Sequence, residues 1–167
     1  TASRVVRVTR GAFDGRTPPL SCDDNPLIPV ARQVVADYRA AMDQLAFQDA
    51  LRALWRLLAE ANQYLVVREP WKMVKAEGAT DALSRILWNG LEAVRIVATG
   101  LLPFMPTVAR QVLAAVGTST VTENLDAMAW GGTPTSAPLP ELAPLFPRID
   151  KEKFMSEIHS SAPGSTP

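Results

Sequence analysis

The sequence has one cysteine, Cys22, and one histidine, His159, in 167 residues. That scarcity excludes an intrachain disulfide and any Cys/His zinc cluster. Neither sign of charge is in excess, because 17 Lys and Arg balance 17 Asp and Glu. There is therefore no cationic coat of the kind that grips nucleic-acid phosphates indiscriminately. The charge-free stretch Ile96–Ala109 falls short of the ~20 residues that span a bilayer, and Pro103 and Pro106 interrupt it. No membrane partner is expected. Thr1 is not an initiator and no signal-peptide pattern opens the chain, so a soluble, cytoplasmic domain is expected, either free-standing or a fragment of a longer protein. Proline is scarce in the middle: apart from Pro70, none lies within residues 30–102. What is present is ordinary, with 47% hydrophobic and 20% charged residues. A chain of this length buries roughly 68–70% of its unfolded surface, enough for a core without staples.

A proline-poor stretch of this length reads as long helices. The basic segment Ser3–Ala12 spaces Arg4, Arg7 and Arg10 three apart, which on a helix puts them on one side, and Asp14-Gly15 stops it. Residues 16–29 carry Pro18, Pro19, Pro26 and Pro29 and read as a loop, with Pro29 at a first helical position. Val30, Val34, Tyr38, Ala41 and Leu45 form the next apolar stripe, up to a break near Asp43-Gln44. Phe47, Leu51, Leu54, Leu58, Ala61 and Leu65 form the stripe of a longer helix, which must stop before Pro70. Pro70 can itself open a short helix to about Lys75. Thr80 is a suitable N-cap for a helix burying Leu83, Leu87, Val94, Val97 and Leu101, with Arg85, Asn89, Glu92 and Arg95 on its wet side. A last helix spans about Thr107 to Val116. Gly131-Gly132 and the prolines from Pro134 to Pro147 then exclude long regular elements. The pattern predicts an all-α antiparallel helical bundle over residues 1–117, an irregular extension over 118–150 and a disordered tail over 151–167.

Catalytic signatures are lacking: there is no phosphate-binding glycine loop, no H-E-x-x-H and no G-x-S-x-G. His159 stands beside a Ser/Pro-rich end and Cys22 in a proline-rich loop, so no catalytic residue and no metal ligand is assigned. Two features stand out. The arginine row is either a solvated helix face or a phosphate- and base-contacting one. Trp71, just after Pro70, is either a core residue or a stacking platform for an unpaired base. Trp55 and Trp88 lie near helical stripes and are expected in the core.

The run Ala61-Asn62-Gln63-Tyr64, followed by Pro70-Trp71-Lys72-Met73-Val74-Lys75, resembles the A-N-x-Y…P-W-x-x-A-K signature of the methionyl-tRNA synthetases. Thr1-Ala2-Ser3-Arg4 with Phe13-Asp14-Gly15 resembles that family's N-L-A-S-R…F-D-G helix. Leu101-Leu102-Pro103-Phe104-Met105-Pro106 and Leu145-Phe146-Pro147-Arg148-Ile149-Asp150 are similar to its L-x-P-F-M-P turn and its closing L-F-P-R-I-[ED]. The resemblance runs from Thr1 to Asp150. Val74 departs from the common Ala, and the asparagine that opens N-L-A-S-R has no counterpart.

The resemblance implies the class I synthetase anticodon-binding bundle, with the anticodon loop of methionine tRNA and the parent's catalytic domain as partners. It implies Trp71 and Arg4 as anticodon contacts, and Asn62, Tyr64 and Pro70 as supports of the turn. In that role Trp71 is expected to be exposed, with its ring beside Arg4, while Met73 and Val74 pack inward between the hydrophilic Lys72 and Lys75. The family's H-I-G-H and K-M-S-K-S motifs and its zinc knuckle have no match in the sequence. ATP and any zinc are thus expected in the parent's catalytic domain, which ligates methionine to tRNA, and no cofactor in this non-catalytic segment. The alternatives are a free-standing tRNA-binding module and a purely structural bundle. Residues 121–150 are expected to pack less tightly than the helices, since in the resembling family they return towards a catalytic domain.

Overall fold

The computed structural model describes residues 2–19, 25–75, 80–118 and 124–146. These contain helices α1 (Ala2–Ala12), α2 (Leu27–Asp43), α3 (Phe47–Arg68), α4 (Pro70–Met73), α5 (Asp81–Leu101) and α6 (Pro106–Ala115), and a 3-10 turn, Leu125–Met128. Cys22, His159 and the Arg148-Ile149-Asp150 motif lie outside the described residues.

α2 and α3 form a helical hairpin, turned by Leu45 in the left-handed region at φ 55°. α5 is the axis of the molecule: α1, α2, α3, α4, α6 and the 3-10 turn all pack against it. Every residue from Ile86 to Gly100 is buried. Leu83, Leu87, Leu91, Leu54 and Leu57 are fully enclosed, each contributing about 1.5–3 kcal/mol of apolar burial. Thr80 caps α5 as expected, its Oγ1 accepting from the Leu83 N–H at 3.2 Å. The Tyr38 hydroxyl donates to the Gly100 carbonyl at 2.8 Å and ties α2 to the end of α5.

Several sequence expectations are corrected. α2 begins at Leu27, not Pro29, because the Asn25 Oδ1 accepts from the Leu27 N–H at 2.9 Å and fixes the first turn. Pro29 sits within that turn, where its missing N–H has no intrahelical partner to lose. The buried stripe of α3 runs through Ala50, Leu54, Leu57, Ala61 and Tyr64, which rotates Phe47 and Trp55 outward, each 48% exposed. Trp55 is therefore not a core residue, whereas Trp88 is.

The largest correction concerns α5. Asn89, Glu92 and Arg95 were expected on its wet side, and all three are buried. The C-terminal extension covers that side. Arg95 donates from Nε and Nη2 to the two Glu92 carboxylate oxygens at 2.9 and 2.7 Å. It also donates to the Ala127 carbonyl and, at 2.6 Å, to the Ala129 carbonyl. Glu92 in turn accepts from the main-chain N–H groups of Gly131, Gly132 and Thr133 at 2.7, 3.1 and 2.8 Å. Burial works to raise the Glu92 pKa, but Arg95 and the loop N–H groups overcome it and hold the carboxyl below its usual value.

Residues 136–139 are also stitched to the turn after α1. The Thr17 N–H donates to the Ala137 carbonyl at 2.8 Å, and the Leu139 N–H to the Gly15 carbonyl at 2.7 Å. Met128 and Leu139 are buried, and Trp130 packs edge-on against Trp88 at 6.2 Å. Where it is described, the irregular extension from Asn124 to Leu139 is docked on the bundle through these few buried contacts, while most of its residues remain partly or fully exposed.

Candidate functional site

The site is built at the junction of α3 and α4. Glu69 adopts a left-handed conformation at φ 45°, and its N–H donates to the Leu65 carbonyl at 3.0 Å, closing α3. Pro70 is buried as the first residue of α4, a position that needs no N–H. The Glu69 carbonyl accepts from the Lys72 N–H at 2.8 Å, and its carboxylate pairs with the Lys72 Nζ at 2.8 Å. This tight turn leaves Trp71 half-buried at the surface, while Met73 packs against the core. Val74, expected to face inward with Met73, is instead 40% exposed, because α4 ends at Met73.

α1 supplies the second component. Val5 and Val6 are buried, which leaves Arg4 and Arg7 on the outer side. Gly90 of α5 permits the approach: a Cβ there would lie 2.9 Å from the Val5 Cγ2 and 3.2 Å from the Leu65 Cδ2. One bare position thus brings α1 against the end of α3. As a result the Arg4 guanidinium carbon lies 5.4 Å from the centre of the Trp71 ring, within cation–π range. Trp71 is not broadly exposed as expected, because the guanidinium covers part of it. The arginine row does not act as a unit. Arg10 is half-buried and turns towards Glu141, 4.0 Å away, whereas Arg7 is exposed.

The supporting residues divide. Tyr64 is buried, and its hydroxyl accepts from the Asn89 Nδ2 at 3.0 Å. Pro70 sets the turn, and Asn62 is exposed on α3. One contact escaped the sequence reading: the Arg68 guanidinium carbon lies 4.0 Å over the Tyr64 ring. Its signal was there, since residues four apart share a helix face.

Chemically, the arrangement offers a half-open aromatic surface, a planar donor fork above it and further cations at Arg68, Lys72 and Lys75, opposed locally by Glu69. It can stack a flat, electron-rich group and donate hydrogen bonds to its edge. Among the described residues, no three His, Cys, Asp or Glu side chains gather as a metal-binding group. No helix of the described residues is long and apolar enough to cross a membrane.

Residues 19–154 match the family described as the anticodon binding domain of methionyl tRNA ligase. The chain belongs to this family. A methionine–tRNA ligase from Caldanaerobacter subterraneus subsp. tengcongensis is 30% identical over 98% of the chain and 26% of the ligase. One from Streptococcus pneumoniae serotype 4 is 28% identical over 99% of the chain and 25% of the ligase. The fold agrees. The apo crystal structure of Mycobacterium tuberculosis methionyl-tRNA synthetase superposes with a TM-score of 0.78 at 28% identity, over 89% of this chain and 31% of that one. The same enzyme in complex with methionyl-adenylate gives 0.77 at 27% identity, over 88% and 30%. The chain spans about a quarter of the length of the ligases it matches.

Proposed function

We propose that the chain reads the anticodon loop of methionine tRNA on behalf of a methionyl-tRNA ligase, which joins methionine to that tRNA using ATP in the cytoplasm. The observation that carries this reading is the Arg4–Trp71 pair, assembled from two helices within an anticodon-binding family. Bases of a single-stranded loop can be splayed out, stacked on aromatic rings and hydrogen-bonded on their edges. Trp71 stacks on the first anticodon base. Arg4, already held over the indole, donates from its guanidinium to a base edge or the adjacent backbone. Pro70 and Tyr64 fix the turn that presents Trp71, and Asn62 supports it. Stacking and a few edge contacts need no cationic coat, which suits a chain of zero net charge.

The segment itself contributes no catalytic group. ATP and any zinc belong to the catalytic domain of the parent, which is the second partner. An apolar groove of about 300 Å³, lined by Trp55, Leu58, Leu101, Met105, Leu145 and Phe146, supports such a docking. Phe146 is 70% exposed on its rim, a large apolar group more often found covered. In this reading residues 118–150 lead from the bundle towards that domain.

The test is one variant and two readouts. Trp71→Ala should weaken binding of a methionine anticodon stem-loop roughly 5- to 150-fold, since stacking one base is worth about 1–3 kcal/mol. It should cost much less fold stability than the ~3–5 kcal/mol lost on truncating a core tryptophan. Unchanged discrimination between methionine and non-cognate stem-loops would refute the stacking role.

A further inference from the structure

Arg68, although exposed, holds its guanidinium over an aromatic ring. Its guanidinium carbon lies 4.0 Å from the centre of the Tyr64 ring, well within cation–π range. The ring beneath it is itself fixed. Tyr64 is 7% exposed, and its hydroxyl is held by the Asn89 side chain at 3.0 Å. Arg68 remains exposed, so the guanidinium face turned away from Tyr64 is open. Among the described residues no carboxylate pairs with it. The adjacent Glu69 is engaged by Lys72 instead, at 2.8 Å. Only three peptide links, at most about 11 Å of chain, separate Arg68 from Trp71.

We propose that Arg68 is a second stacking platform, which receives the base of a nucleotide neighbouring the one on Trp71. This rests on the anticodon reading of the Arg4–Trp71 pair and extends it by one nucleotide. Guanidinium planes stack on bases as aromatic rings do, and they add charge that the neighbouring phosphate welcomes. Held over Tyr64, Arg68 has already given up rotamer freedom that binding would otherwise cost. The two platforms sit on either side of the Glu69–Pro70 turn. That turn sets the spacing at which successive bases of the loop must separate. The ligand class is single-stranded RNA, and the feature recognised is the π-face of a base rather than its identity.

The experiment uses the complete chain and methionine anticodon stem-loops, one intact and others with an abasic nucleotide at each position flanking the first anticodon base. Arg68→Ala should weaken the intact stem-loop roughly 5-fold or more, as expected for loss of one stacked base. One abasic stem-loop should be equally weak with Arg68 and with Arg68→Ala, because the partner base has gone. Arg68→Lys keeps the charge but loses the plane, and should not restore tight binding. Full rescue by lysine would overturn the platform in favour of a phosphate contact. A loss from Arg68→Ala that persists on every abasic stem-loop would overturn it too. Thermal unfolding of each variant separates a folding defect, which would depress all stem-loops alike. The underlying reading fails on a different result, namely Trp71→Ala and Arg4→Ala leaving binding and discrimination intact. If those two act and Arg68→Ala does not, only the second platform is lost.

Discussion

Gly132 lies so close to Arg95 that a Cβ at position 132 would sit 2.6 Å from the guanidinium carbon. The guanidinium cannot retreat, since it bridges Glu92 to the Ala127 and Ala129 carbonyls. Gly132→Ala should therefore break the clasp rather than bend it. We expect a loss of about 1–3 kcal/mol, the usual scale for forcing atoms into a packed site. Chemical denaturation checks the magnitude. Release of Trp130 from Trp88 should change tryptophan fluorescence in the same transition.

Breaking the ion pair itself should cost more. Arg95→Met leaves the Glu92 carboxylate buried with no cation, and removing one member of such a pair typically costs about 3–5 kcal/mol. Replacing both, as Glu92→Gln with Arg95→Met, should recover part of that loss, because no uncompensated charge remains. A double variant no more stable than Arg95→Met would show that the cost lies elsewhere.

Acid should act at the same place. The folded-state pKa of Glu92 is depressed, as are those of Asp37, through its hydrogen bond from Arg56, and Asp126, through its bond from Arg39. The unfolded chain then binds more protons than the folded one as pH falls below the ordinary carboxylate range, about pH 4. Stability is thus complete above that range and declines as pH drops towards the folded values. Thermal midpoints measured from pH 7 down to pH 3 should fall steeply only at the acid end. In Glu92→Gln that fall should be shallower.

Gly90→Ala tests how the site is assembled. Val5 is β-branched and stiff at χ1, so its Cγ2 cannot swing aside, and α1 must shift. Arg4 moves with it. Weaker stem-loop binding, beyond what any stability loss explains by mass action, is the expected outcome. Binding equal to that of the parent chain would show that the Arg4–Trp71 contact tolerates the shift.

The chain alone should show no ATP–pyrophosphate exchange, because the motifs that bind ATP in the family are missing from its sequence. Exchange activity that co-purifies with the chain through several steps would contradict this.

Helix positions were legible because proline, caps and apolar spacing act locally. Pro70, Thr80 and the 3.6-residue stripes each leave a mark within one turn. The signature around Trp71 was legible through family resemblance, and with it the place of the ring beside Arg4; the bare Gly90 that makes room for the contact was not. The environment of α5 was misread for a different reason. Periodicity reports which side is apolar, and Glu92 and Arg95 follow the polar pattern faithfully. Their burial is decided by the distant loop 127–133, which supplies five main-chain partners for two charges. Gly131-Gly132 was the trace of that arrangement, read only as a breaker of regular structure. Trp55 shows the reverse case, an apolar residue beside the buried stripe of α3 that stays half exposed on the rim of an apolar groove.

The clasp also governs how the molecule comes apart. A surface loop normally frays at little cost, opening and closing independently of the helices beneath it. Here, peeling residues 127–133 from α5 strands an ion pair in the middle of the longest buried element. Local opening of the loop must therefore break five main-chain hydrogen bonds to the pair together, and costs more than ordinary fraying. The N–H groups of Gly131, Gly132 and Thr133 should exchange with solvent as slowly as those of α5, although they belong to no helix. Slow exchange there would make a stretch without regular structure part of the slowly opening core.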